Sequence, residues 1–209
     1  RNSLFFNRGK QHHSTTYSFL LNESQNLLSV GSVSAKNLSH QLQYQHLVQK
    51  SWLFNFSGSK TLTNSTSENY PTRNFEIDSY QIEPKIGYLF SKNASWDIFY
   101  EFQQKENKIG AFEILKQTRL GTSFTFNSEK GFSMNGEFSM YNNSYEGNAL
   151  SAVGFQMLEG LQPGKNQTWR LLLQKNLTQF LDININYQGR NSETSKTIHT
   201  GNVQLRAFF

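Results

Sequence analysis

The C-terminal segment, residues 201–209, alternates between two kinds of side chain. Small or apolar residues occupy every odd-numbered position, and polar residues lie between them. The first set is Gly201, Val203, Leu205, Ala207 and Phe209, and the second is Asn202, Gln204 and Arg206. Because successive side chains of a strand point to opposite faces, the segment predicts a strand with one face in lipid and the other inside a barrel.

The same period of two recurs along the chain. In the clearest case Leu181, Ile183 and Ile185 stand opposite Asp182 and Asn184. About twelve segments have this pattern, which is the order of magnitude for a medium-sized barrel. The sequence therefore predicts an all-β, antiparallel transmembrane β-barrel of roughly 10–14 strands. Residues 1–209 form one unit, either a whole barrel or the C-terminal part of a larger one.

Composition excludes several other classes. Only 36% of residues are hydrophobic and the mean hydropathy is -0.62, so no window approaches the roughly 20 apolar residues of a spanning helix. Aromatic residues make up 14%, which suits the interfacial girdles of a barrel. The chain has no Cys, which rules out a disulfide framework. Its charge of +5 is scattered without a basic cluster, so no nucleic-acid partner is expected.

Turn signals predict the connections between strands. Short turns are expected at residues 23–26, 49–51, 91–95, 127–131 and 178–180, and longer polar loops at 58–74 and 105–113. Residues 27–33 and 150–158 are weaker strand candidates, no helix is expected, and Pro84 should mark a bulge or an edge. Three candidate strands lie between the turns at 127–131 and 178–180. An even number is needed if both turns face the periplasm, so either one segment is misassigned or one turn faces outward.

The start of the chain predicts a strand that is already under way. Leu4, Phe5 and Phe6 have the character of a strand end, and neither an initiating Met nor a signal peptide precedes them. We therefore expect either a mature product or a portion of a longer polypeptide.

Polar residues of the predicted strands are candidates for lining the barrel interior. They are Lys85, Glu101, Arg119, Glu137, Asp182, Asn184, Asn186, Asn202, Gln204 and Arg206. Both charge signs occur, whereas strong ion selectivity needs rings of one sign. Packing across the interior is favoured over an open pore lining, because small barrels fill their interiors with side chains.

Catalytic and metal-binding alternatives find little support. Ser39 and His40 are adjacent, so on a strand they point to opposite faces and cannot form a nucleophile–base pair. His40, His46 and His199 fall on apolar faces, where a girdle position is expected. His12 and His13 form the one close histidine pair, and nothing in the sequence completes a metal site around them. No catalytic residue, cofactor or metal is predicted.

The C-terminal pattern resembles the signal that the outer-membrane assembly machinery reads. The positions are Gly201, Val203, Leu205, Ala207 and Phe209, with Ala207 the weakest member. The region from Leu158, Gly160, Pro163, Gly164 and Trp169 to Tyr187, Gly189 and Arg190 also resembles the ends of large outer-membrane barrels of Bacteroidota. The resemblance implies a location and a fold, and it carries no catalytic residue.

These patterns together predict an integral protein of the Gram-negative outer membrane. Its expected role is structural, or that of a transport or translocation component in a protein complex. Expected partners are outer-membrane lipid and lipopolysaccharide, the barrel assembly machinery, and other outer-membrane or periplasmic proteins. Two alternatives stay open at this point: a barrel-embedded lipid hydrolase and a soluble β-sandwich binding module.

Overall fold

One antiparallel sheet makes up most of the described chain. The computed structural model describes residues 1–8, 12–28 and 31–208. Its sheet has 11 strands that lie side by side in chain order, which confirms the predicted fold class and falls within the predicted range. The strands are β1 (Asn2–Phe6), β2 (His13–Leu28), β3 (Gly31–Val48), β4 (Trp52–Ser67), β5 (Phe75–Ser91), β6 (Ala94–Asn107), β7 (Ile114–Ser128), β8 (Phe132–Glu146), β9 (Gly164–Thr178), β10 (Leu181–Ser192) and β11 (Ser195–Ala207).

Helical structure is confined to the connections. Helix α1 (Ala152–Leu158) lies between β8 and β9, and a short 3-10 helix, Pro71–Arg73, lies between β4 and β5. In the described ranges no helix has both the length and the apolar character needed to cross a membrane.

The two ends of the sheet differ in the length of their connections. At one end, which we call the short-turn end, the strands are joined by residues 49–51, 92–93, 129–131 and 179–180, and β11 also ends there. The opposite end, the long-loop end, carries residues 68–74, 108–113 and 147–163, together with the short turn at 193–194. Outer-membrane barrels have this asymmetry, with short turns on the periplasmic side.

The sequence pattern underestimated the length of several strands. Residues 58–67, predicted as a loop, continue β4 and pair with both β3 and β5. The turn predicted at residues 23–26 is wrong, because these residues belong to β2 and pair with β3. Residues 27–33, predicted as a strand, instead contain the β2–β3 connection, whose residues 29–30 lie outside the described part. In residues 58–67 and 23–26 both strand faces are largely polar, so the period of two is lost there.

Residues 150–158, predicted as a weak strand, contain α1 instead. The Oγ of Ser151 accepts a hydrogen bond from the Gly154 amide at 2.9 Å, which caps the first turn. Glu159 (φ 54°) and Gly160 (φ 79°) then adopt left-handed backbone and end the helix. Because this segment is not a strand, only two strands, β8 and β9, separate the turns at 129–131 and 179–180. Both turns therefore lie at the same end of the sheet.

Pro84 forms neither a bulge nor an edge. It pairs with Phe56 of β4, and on its other side the register with β6 is the same before and after it, from Ile82↔Phe102 to Lys85↔Phe99. Proline has no amide hydrogen, so the ladder to β6 is interrupted at this position while the alignment of the two strands is kept.

The two faces of the sheet differ in chemistry and in burial. On the polar face Glu101, Gln117 and Ser139 are 6%, 7% and 0% exposed, whereas Ile98 and Leu120 on the apolar face are 50% and 46% exposed. Side chains crowd together on the concave side of a curved sheet, so we call the polar face the inner face and the apolar one the outer face. A soluble β-sandwich buries its apolar faces between two sheets, and the single sheet of the described residues does not match that alternative.

The outer face is apolar only over the part of each strand nearer the short-turn end. On β4 the outward residues Trp52, Phe54 and Phe56 are followed by Lys60, which lies 3.5 Å from the Asp78 carboxylate of β5. A strand needs about 9–11 residues to cross the hydrocarbon, and β4 has 16. The strands therefore extend beyond the apolar band at the long-loop end.

The outermost strands run in the same direction. Strand order follows the chain and every neighbouring pair is antiparallel, so β1 and β11, both odd-numbered, point toward the short-turn end. Within the described residues β1 pairs with β2 alone and β11 with β10 alone. Antiparallel closure of these two edges on each other is therefore geometrically impossible.

Cross-linking tests this feature directly, since the chain has no Cys of its own. We expect that Ser3→Cys, combined in turn with Asn202→Cys, Gln204→Cys or Arg206→Cys, gives no product with a short bifunctional thiol reagent in membranes. The control pair Asn184→Cys with Gln204→Cys, which are register partners, should cross-link. An efficient link between β1 and β11 would mean that the edges close in parallel.

Candidate channel interior

A belt of charged side chains crosses the inner face from β6 to β9. Glu101 stands opposite Arg119 in the β6–β7 register, and Glu137 stands opposite Arg170 in the β8–β9 register. On β5, Lys85 lies 3.5 Å from the Asp97 carboxylate of β6. Neighbouring charges of the belt thus have opposite signs, an arrangement that cross-strand pairing favours.

Arg119 is the central residue of this belt. Its guanidinium lies 3.4 Å from Oε2 of Glu101, also pairs with Oε1 of Glu137, and donates from Nε to Oγ of Ser139 at 3.1 Å. The Arg119 side chain is 19% exposed and that of Glu101 is 8% exposed. A planar guanidinium suits such multiple contacts better than an ammonium group. Arg119 therefore ties three adjacent strands together.

Phe99, an apolar residue on the polar face, fits because of a glycine. It stands opposite Gly121, where an added Cβ would come within 2.3 Å of the Phe99 ring. The ring lies over the space that Gly121 leaves, and the Arg119 guanidinium lies 4.6 Å from its centroid. This cation–π contact makes Phe99, which is 6% exposed, part of the wall that holds the charged belt.

The polar residues predicted from the sequence all lie on the inner face. In the β10–β11 ladder Asp182 pairs with Arg206, Asn184 with Gln204 and Asn186 with Asn202. Lys85, Glu101, Arg119 and Glu137 lie on the same face farther along the sheet. Their role as the lining of a lumen stays a prediction.

The longest connection, residues 147–163, folds onto the inner face. Helix α1 buries Val153, Met157 and Leu158 against Ile77 of β5 and Leu115 of β7, and these five residues form the apolar cluster of the described chain. Ile77 and Leu115 belong to the inward-facing sets of their strands. The sheet thus provides an apolar patch on a mostly polar face, and α1 packs on it near the long-loop end.

Lys105 of β6 fixes the end of α1. Its ammonium donates to the carbonyl oxygen of Met157 at 2.9 Å and forms an ion pair with Glu159. A cation at a helix C-terminus is favourable because the last carbonyls have no partners inside the helix. Lys105 is 6% exposed, so removing it would leave the polar end of α1 unsatisfied. Neither Lys105 nor Glu159 is marked in the sequence, where Ser151 and Gly160 signal only the two ends of α1.

The opposite side of α1 is free of contacts with the sheet. Phe155 is 70% exposed and lies on the helix face away from the buried cluster.

A second strand holds the connection beyond α1. Arg190 of β10 donates to the carbonyl oxygen of Gly160 at 3.1 Å. The connection is therefore held from β6 on one side and from β10 on the other, which places it across the inner face.

The histidines lie away from serine hydroxyls in the described residues. Ser39 contacts Oγ1 of Thr61 at 3.0 Å, whereas His40 points outward and pairs with the Tyr17 hydroxyl at 2.7 Å. His199 likewise pairs with the Tyr187 hydroxyl at 2.8 Å. These outward positions among aromatic rings agree with the predicted girdle. The described part of the chain has no cluster of three or more potential metal ligands.

The predicted assembly signal lies on the outer face of the edge strand. Val203 and Leu205 are 65% and 61% exposed, and Gly201 and Ala207 share their face by the register with β10. Phe209 lies outside the described residues. Recognition by an assembly machinery remains a prediction.

Comparisons with known proteins bear on the fold alone. No family model and no curated protein matches the sequence. Among solved structures, the outer membrane channel DcaP of Acinetobacter baumannii is similar with a TM-score of 0.56 and 8% identity, covering 99% of this chain and 61% of that one. OmpT, an outer membrane protein of Vibrio cholerae, has a TM-score of 0.53 and 9% identity, covering 95% and 65%. An anion-selective porin from Comamonas acidovorans has a TM-score of 0.53 and 14% identity, covering 99% and 58%.

These similarities confirm that the chain has the fold of outer-membrane β-barrels. Two of the three structures are outer-membrane proteins by description, which agrees with the location predicted from the sequence. The chain spans about three fifths of the length of these proteins. The narrower resemblance to barrels of Bacteroidota finds no counterpart among them.

Arg119 offers a test of the charged belt. Arg119→Met removes the partner of Glu101 and of one oxygen of Glu137, and breaking a buried ion pair from one side is costly. We expect a loss of about 3 kcal/mol in the free energy of unfolding, measured by urea titration from lipid vesicles. Arg206→Met, at an exposed inner position, serves as the control. Equal stability of both variants would show that the belt does not hold the strands.

Proposed function

We propose that this protein is part of a channel in the bacterial outer membrane through which small hydrophilic solutes pass. The observation that carries the proposal is the inner face itself, which combines a polar wall with a connection, residues 147–163, anchored across it. A barrel that served only as an anchor would have no need for a loop fixed on its inner side. The similarity to channels and porins supports the fold on which the proposal depends.

The sheet needs further strands to close as an antiparallel barrel. Unpaired backbone groups at a strand edge are costly in hydrocarbon, which is why spanning barrels leave no open edge. Since β1 and β11 run in the same direction, an odd number of additional strands must separate them. We propose that polypeptide preceding Arg1 supplies these strands, which agrees with the larger size of the similar channels.

Two narrower expectations, about partner proteins and about lipid, accompany this proposal. The partner-dependent role in transport or translocation would use the exposed connections at the long-loop end or the short turns opposite. Lipid and lipopolysaccharide would contact the outer face, where Lys60 and Asp78 mark the boundary of the apolar band. A lipid hydrolase receives no support from His13, His40 and His199, which contact an asparagine amide and two tyrosine hydroxyls.

Conductance in planar lipid bilayers tests the channel. We expect the full-length protein to insert and give discrete current steps. In Lys105→Gln the connection carrying α1 loses its ion pair with Glu159, so we expect noisier currents and a larger unitary conductance. Lys116→Gln, an outward-facing change on β7, should behave as the wild type. Inserted protein without current steps would contradict the proposed function, and identical traces from both variants would show that the connection does not narrow the passage.

A further inference from the structure

A cavity of about 460 Å³ opens on the inner face between strands β8–β11 and the segment that follows α1. Two arginines, Arg170 of β9 and Arg190 of β10, line it together with the hydroxyls of Thr168 and Thr200. Leu161 and Ile198 give it an apolar side. The volume is in the range of small-molecule sites.

The two arginines lie close to each other by the register of the sheet. Arg170 pairs with Gln188 and Arg190 pairs with Thr168, so the arginines occupy diagonal positions on neighbouring strands. Diagonal neighbours are about 7–8 Å apart, within reach of long side chains. Two like charges so placed repel each other, and an anion between them would relieve the repulsion.

Two carboxylates, Glu137 and Glu159, also line the cavity, and each is engaged with another cation. Glu137 pairs with Arg119, and Glu159 pairs with Lys105. Arg170 is 4.0 Å from the second oxygen of Glu137 at its nearest and forms no hydrogen bond with a described residue, while its side chain is 56% exposed. A guanidinium offers five N–H donors, so those of Arg170 are available to a bound anion. Arg190 uses Nη1 on the carbonyl oxygen of Gly160 and has further N–H donors besides it.

The apolar side of the cavity indicates what kind of anion fits. Ile198 is 44% exposed and stands opposite Arg190 in the β10–β11 ladder, where the neighbouring inward positions on β11 are polar. Leu161 faces the same cavity from the connection. An inorganic ion would leave these two side chains without contact, whereas the hydrocarbon part of an organic acid would cover them.

We propose that this cavity binds small organic carboxylates, with Arg170 and Arg190 holding the carboxylate and Leu161 and Ile198 packing on its apolar body. The site deepens the proposed function, on which it rests for the passage of the ligand, because it names a class of solute that the channel would select. Planar guanidinium groups match the geometry of a carboxylate and bind it through paired hydrogen bonds.

Calorimetric titration of the full-length protein in detergent micelles tests the site without requiring conductance. The probes are benzoate, inorganic phosphate and uncharged benzyl alcohol. We expect benzoate to bind more tightly than either of the others, and the double variant Arg170→Gln/Arg190→Gln to weaken benzoate binding at least tenfold. Arg206→Gln, which lines a separate cavity beside Asp182, should bind as the wild type.

Further results test the two parts of the site separately. Absence of benzoate binding, or equal binding by the double variant with retained heat-modifiable migration on gels, would overturn the assignment of the arginines. Phosphate binding as tight as benzoate binding would overturn the role of Leu161 and Ile198. Weaker benzoate binding by Leu161→Ser/Ile198→Ser, with phosphate binding unchanged, would support it.

Bilayer recordings separate failure of the site from failure of the proposed function. The protein could give current steps that benzoate does not reduce and also fail to bind benzoate in micelles. That result would overturn the site, while the proposed channel function would stand. Benzoate binding by inserted protein that gives no current would overturn the channel and leave the site.

Discussion

Hydrogen bonding between strands is the constraint on which the rest of this structure depends. Inside hydrocarbon no water is present to satisfy backbone N–H and C=O groups, so each strand must pair on both sides. Strands β3 to β10 meet this requirement over most of their lengths, apart from local irregularities such as Pro84, whereas β2 pairs with β1 only as far as Phe19. Since the backbone is satisfied in this way, side chains are free to divide by chemistry, with apolar residues outside and polar residues inside.

Two of the apolar exceptions on the inner face hold polar features in position. Ile77 and Leu115 form an apolar patch where α1 docks, and Phe99 fills the space beside Gly121 under the Arg119 guanidinium. Each exception supports a polar feature: the patch holds the connection that Lys105 fixes, and Phe99 supports the belt that Arg119 joins. Apolar packing and charge pairing thus occur side by side on the inner face. Structural packing and lining of a passage, the two interpretations of the inner residues, therefore apply to different parts of this face.

Much of this fold could be predicted from the sequence because its two faces differ in chemistry. The alternation along β10 and β11 identifies both strands and their orientation. The signal fails where both faces are polar, as in residues 58–67, whose strand structure depends on pairing with β3 and β5 and is invisible in a single segment. It also fails at α1, which is too short to show a helical period and is marked only by its caps. Lys105 and Glu159 were missed because they are far apart in sequence and meet only when the connection folds inward.

The central claim is that the apolar face of the sheet contacts lipid while the polar face contacts water. Nitroxide scanning along β7, residues 116–126, of the protein in lipid vesicles tests it most directly. We expect a period of two, with oxygen reaching labels at Leu120, Thr122 and Phe124, and a water-soluble nickel reagent reaching labels at Ser123 and Thr125. Accessibility without alternation, or alternation in the opposite phase, would contradict it.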